Sequence, residues 1–126
     1  MGTTHDFEDG KGAVPAHPHH NGGGWVADTA SVSDTAYVGP LAAVYGSAVV
    51  RDSAVVCGYA VVCGYAVVCG YAVVRDSAVV SDQAAVSGYA VVRDSAVVCD
   101  SAVVCDSALI VGRRVVGGTE VVGDLD

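Results

Sequence analysis

Two hydrophobic columns run through the chain at one spacing. Valine occupies every sixth position from Val26 to Val104 without a break, and Ile110 continues the series. Alanine does the same from Ala30 to Ala108. A fixed period of six means one short structural unit made many times over. The commonest unit is Ala-Val-Val-x-(Asp/Gly)-(Ser/Tyr), as in Ala48-Val49-Val50-Arg51-Asp52-Ser53. A helix does not suit it: six residues do not keep one face aligned at 3.6 per turn, and valine pairs with frequent glycine are poor helix formers. Short strands do suit it. Ala48 and Val50 then project to one side and Val49 and Arg51 to the other. Asp52-Ser53, or Gly58-Tyr59 in the next unit, turns the chain.

The pattern divides the chain in three. Residues 1–24 have no period; they hold all four histidines (His5, His17, His19, His20) and two of the three prolines. They read as an extended N-terminal arm ending in a flexible Gly22-Gly23-Gly24. Residues 25–112 are the repeat. Residues 113–126 are a degenerate C-terminal cap: Val116 and Val122 keep the valine column, but Arg114 and Glu120 stand where alanine is expected. Terminal repeats of a solenoid are commonly atypical because they close the stack.

An aliphatic residue every six positions, with a small residue two before it, resembles the hexapeptide-repeat proteins. The run His20-Asn21-Gly22-Gly23-Gly24-Trp25-Val26 is similar to the lead-in of such proteins encoded in bacteriophage and bacterial genomes. The resemblance covers Trp25 to Val122. It implies an all-β fold, a left-handed parallel β-helix of five to six coils, shaped as a triangular prism with three hexads per coil. At about 4.8 Å between stacked strands the prism would stand roughly 25 Å tall. Val26, Val32, Val38, Val44 and Val50 begin the inward column, alanine fills the corners, and each buried valine contributes about 1.5–3 kcal/mol.

The first valine of each pair is then left outside. Val49, Val55, Val61, Val67, Val73, Val79, Val91, Val97 and Val103 are expected to form apolar stripes on the three faces, with Trp25 and Tyr37 nearer the start. Contiguous apolar patches usually mark contact surfaces. Cys57, Cys63, Cys69, Cys99 and Cys105 all follow an inward valine and point outward. Consecutive ones fall on different faces, and those sharing a face are two coils apart, near 10 Å by strand spacing, too far for a bridge within the chain. They are candidates for intermolecular disulfides. Asp76 over Asp94, and Asp82 over Asp100, would stack at turns, where Asp is favoured for local hydrogen bonding.

Composition narrows the function. A chain of 126 residues is normally one domain. Six Lys and Arg against 14 acidic residues give a formal net charge of -8, which argues against a nucleic-acid partner. Mean hydropathy is +0.50, yet no apolar run nears the ~18 residues of a membrane span, and the polar start carries no signal-peptide pattern. Acyltransferases among hexapeptide-repeat proteins use a histidine and many carry a C-terminal helix; γ-type carbonic anhydrases bind zinc through histidines on the coils. This chain has no histidine after His20. Triad chemistry lacks a positioned base for the same reason.

The expectation is therefore a non-enzymatic structural protein without cofactor or metal. It would dock on other protein subunits as a self-trimer or on a larger assembly, and the setting implied is the virion of a bacteriophage assembled in the host cytoplasm. There it would decorate, cement or join the capsid. A carbohydrate- or surface-binding module is the alternative, with Tyr59, Tyr65, Tyr71 and Tyr89 recurring at corners and only Tyr71 and Tyr89 in adjacent coils of one edge. A hexapeptide-repeat transferase-like enzyme comes after that. Ice binding would need a flat threonine face, which the repeat does not supply.

Overall fold

The computed structural model describes residues 4–7, 10 and 12–123. Within them every regular element is a strand. From β3 (Trp25–Ala27) through β4 (Ser31–Val32), β5 (Tyr37–Val38), β6 (Ala43–Val44) and β7 (Val49–Val50), a strand of two or three residues recurs each hexad as far as β17 (Leu109–Ile110), β18 (Val115–Val116) and β19 (Val121–Val122). Each up to β16 (Val103–Val104) pairs in parallel with the strand eighteen residues later, Val49 with Val67 and Val67 with Ala85. Three hexads thus make one turn of a parallel β-solenoid of about five turns. Face one runs from β3 through β6 to β18, face two from β4 through β7 to β19, and face three from β5 to β17.

The two columns make the core. Apart from Val32, the second aliphatic residue of every pair from Val26 to Val122 is buried, and so is every alanine of the column from Ala36 to Ala108. Val32 is only half-buried, because no described strand lies above β4 on face two. Along the faces the N–H groups of one coil donate to carbonyls of the next: Val55 to Ala72 and Cys57 to Val74, both at 2.9 Å. Corners continue the ladder, as where Ser53 N–H donates to the Gly70 carbonyl at 2.9 Å.

Each corner from residue 46 onward holds one residue in the left-handed region. Gly46, Gly58, Gly64, Gly70, Gly88, Gly112 and Gly118 take this conformation, and so do Asp52, Asp76, Asp82, Asp94, Asp100 and Asp106, with φ between 57° and 63°. Only glycine, and Asp or Asn through local hydrogen bonding, visits this region readily. That steric demand explains why the fifth position of the hexad alternates between Asp and Gly. Where Asp occupies it, the carboxylate takes on a second task. Oδ2 of Asp52 accepts from Gly70 N–H at 3.1 Å, that of Asp94 from Gly112 at 3.0 Å, and that of Asp100 from Gly118 at 2.9 Å. The stacked pairs expected from the sequence are bonded in the same way, Asp94 N–H to Asp76 at 3.3 Å and Asp100 N–H to Asp82 at 3.1 Å.

The segment expected to be an arm is folded against the first coil through its strands and rings. β1 (Thr4–Asp6) pairs antiparallel with β2 (Ala13–Pro18), and β2 pairs antiparallel with β3, extending face one beyond the first coil. Asn21 and Gly24 then lie along face three, with Gly24 N–H donating to the Val38 carbonyl at 3.0 Å and Val38 N–H to the Asn21 carbonyl at 3.1 Å. Here the glycines answer to space. A Cβ on Gly22 would collide with the Val38 carbonyl and one on Gly24 with the Gly39 carbonyl, so a run expected to be flexible is held by close backbone approach.

Candidate docking surface

The outward residues of the repeat line up by register. On face three, Tyr37, Val55, Val73, Val91 and Leu109 form one column. On face two, Val49, Val67, Ala85, Val103 and Val121 follow Ser31. On face one, Trp25, Ala43, Val61, Val79, Val97 and Val115 do the same. All nine valines expected to face outward do so, but each is half-buried. The strands above and below press their own aliphatic side chains against it. In the last coil, where no described strand follows, Leu109, Val115 and Val121 are 53%, 61% and 59% exposed. The faces are therefore flat apolar ladders, open to solvent along one side of each side chain.

The five cysteines are half-buried and none is in a disulfide within the chain. Three of them, Cys57, Cys63 and Cys69, belong to consecutive hexads and so lie on three different sides of one coil. Burial pushes the Cys57 thiol up; Arg75 pulls it back and Asp76 adds to the rise. Cys99 is also raised, by burial first and then by the carboxylates of Asp100 and Asp82. Asp82, Cys99 and Asp100 bring three ligand-type atoms within 4.8 Å of one another, the one such group among the described residues. The acidic atoms in it are exposed and two of them already serve as the corner acceptors described above.

The histidines do not gather into one ligand set. His17 Nδ1 lies 2.8 Å from Asp28 Oδ1, His20 Nδ1 3.8 Å from Asp34, and the buried His19 bonds the Ala36 carbonyl through Nε2 at 2.9 Å. His5 stacks on Trp25. Each ring ties the N-terminal segment to the first coil. Of the corner tyrosines, Tyr71 and Tyr89 stack with centroids 5.1 Å apart and planes 5° from parallel, and both are well exposed.

Arg114 and Glu120 mark where the alanine columns end. Nη2 of Arg114 lies 3.5 Å from Oε2 of Glu120. In inner coils these corner positions are sealed by the next coil, and only alanine fits; at the last described coil the space is open and two long charged side chains meet there. No helix among the described residues is long and apolar enough to cross a membrane. Comparison with family profiles, with curated proteins and with solved structures gives no match.

Proposed function

We propose that this chain is a non-enzymatic structural protein that docks on other protein subunits by the flat faces of its solenoid. The repeat pattern, with its hexapeptide-repeat resemblance and the left-handed coil which that implies, favours a bacteriophage particle as the setting. There the chain would decorate, cement or join the capsid. The observation that carries the reading is the set of three unbroken aliphatic ladders, one per face, at positions where a solenoid needing only solubility would place polar side chains. A backbone bonded coil to coil makes each ladder rigid, so docking costs little ordering entropy. The cysteines that follow the inward valines would lock such contacts by intermolecular disulfides outside a reducing cell.

Three variants, each with two Val→Lys changes on one face (V61K/V79K, V49K/V67K and V55K/V73K), test this. Sedimentation of the pure protein and co-sedimentation with particles from its native source would be measured beside circular dichroism. One face variant is expected to lose assembly while keeping the β-sheet spectrum and melting of the parent. If all three assemble as the parent does, docking by the faces is wrong. A second reading rests on the exposed, parallel Tyr71–Tyr89 pair, a platform of the kind on which sugar rings stack. Binding on a glycan array that disappears in Tyr71→Ala would favour it over the first.

A further inference from the structure

Four rings, from three separate stretches of the sequence, form one continuous run at the N-terminal end. His5 lies on Trp25 with centroids 4.6 Å apart and planes 11° from parallel; it meets Phe7 edge-on at 4.7 Å, and Phe7 stacks on Tyr45 at 4.8 Å. The far end of this run bounds a cavity of about 290 Å³ between the β1–β2 hairpin and the first corner of the solenoid, with Phe7, Val14, Pro15 and Tyr45 among its walls. Asp28 and Thr29 supply its polar end. The Thr29 hydroxyl is engaged, donating to the Gly46 carbonyl at 2.5 Å. Asp28 is the one charged side chain among the described residues of the lining.

Charge selects the occupant. An anion would meet the Asp28 carboxylate with no lysine or arginine among the described lining residues to offset it. The Asp28 side chain is 54% exposed, so a neutral apolar molecule would gain nothing from it. A cation offsets the charge, and electron-rich rings such as those of Phe7 and Tyr45 attract it further. His17 Nδ1 contacts one carboxylate oxygen, Oδ1, at 2.8 Å, a contact that leaves the negative charge in place wherever the ring is neutral. The volume lies at the small end of ligand cavities, and the walls are apolar away from Asp28. We infer that this cavity binds an organic ammonium ion carried on a short apolar stem. The site stands apart from the docking faces and does not depend on that reading.

Three probes with one stem, n-butylammonium, n-butanol and n-butyrate, separate charge from shape. They would be titrated at pH 8, where an ordinary imidazole is neutral, with calorimetry and NMR shifts as readouts. Butylammonium is expected to bind at least about tenfold more tightly than butanol, the ratio that ~1.4 kcal/mol of added attraction gives, with butyrate weakest. Shifts should centre on Phe7, Val14 and Tyr45. Asp28→Asn should remove most of that preference and leave butanol binding unchanged. Because this change also alters the His17 contact, Tyr45→Leu serves as a second variant, and the fluorescence of Trp25, the single tryptophan, reports whether the hairpin stays docked. Comparing butylammonium with Nα-acetyl-lysine methylamide tells a free amine from a protein lysine as the source of the ion. Equal binding of butanol and butylammonium, or no shifts at these residues at millimolar probe, would overturn the assignment.

Discussion

Asp94 gives the sharpest test of why the corners alternate between Asp and Gly. Its φ is 63°, and its Oδ2 accepts from Gly112 N–H at 3.0 Å. Three substitutions separate the two demands. Asp94→Asn keeps both the left-handed tolerance and an acceptor, and is expected to cost less than about 0.5 kcal/mol. Asp94→Gly keeps the conformation but loses an exposed hydrogen bond worth about 0.5–1.5 kcal/mol; relief of residual backbone strain offsets part of this, for a net loss of about 0.5 kcal/mol. Asp94→Ala loses the acceptor and also forces an ordinary side chain into a region costing about 1–2 kcal/mol, for a total near 2 kcal/mol. Urea unfolding followed by circular dichroism gives the ranking. Since a solenoid can unfold in sections, hydrogen exchange at the Gly112 amide supplies a local measure, expected to quicken in both the Gly and the Ala variants. Should Ala prove as stable as Asp, or Gly less stable than Ala, the backbone argument fails.

Other consequences follow from the same coordinates. Val74 is sealed in the core while its neighbour Val73 lies on a face, so Val74→Ala should cost about 2–3 kcal/mol and Val73→Ala less than about 1 kcal/mol by urea denaturation, at ~0.8 kcal/mol per buried methyl group plus a cavity term; the reverse order would invert the assignment of faces. Ala72, fully buried at a corner, should not accept a larger residue, and Ala72→Leu is expected to destabilise by roughly 1–3 kcal/mol through overpacking, read as a lowered melting temperature. Burial and the carboxylates of Asp100 and Asp82 raise the Cys99 thiol, so less of the reactive thiolate is present near neutral pH and alkylation should rise with pH through a midpoint above that of an ordinary cysteine. Asp100→Asn should then speed iodoacetamide labelling of Cys99 at pH 8 severalfold, and an unchanged rate would remove the carboxylates from the explanation.

The solenoid was legible because its environments repeat. Three hexads close one turn, so every buried valine sees the same neighbours and selection writes the same residue each time; period six, strand geometry and the inward column follow from that alone. The Asp/Gly alternation marks the turns correctly, but a sequence records which residues a corner accepts and not the positive φ that makes it accept them. The N-terminal segment was opaque for a different reason. Antiparallel strands such as β1 and β2, seated on the edge of β3, are held by backbone hydrogen bonds and by rings at residues 5, 7, 25 and 45, which leave no period. In Gly22 and Gly24 the letter for flexibility and the letter for close approach are the same.

On such a scaffold, information lies in departures from the repeat. A hexad that matches its neighbours is fixed by packing and carries no address of its own. Arg114 and Glu120 show how a departure reads: they replace alanine at the coil where the corner is no longer covered, so their size reports an open end and needs no partner to explain it. Tyr59, Tyr65, Tyr71 and Tyr89 all stand where the unit elsewhere has serine, but only Tyr71 and Tyr89 fall in two successive coils of one edge, and packing makes no such demand because both rings stay exposed. The outward valines are the harder case, since β-propensity alone would tolerate them. What sets them apart is their number on each face, since a strand that only needs to pair could carry threonine or charge at that position without loss. Replacing a whole ladder with threonine therefore separates the two causes, because the fold should survive it and any contact made through the face should not.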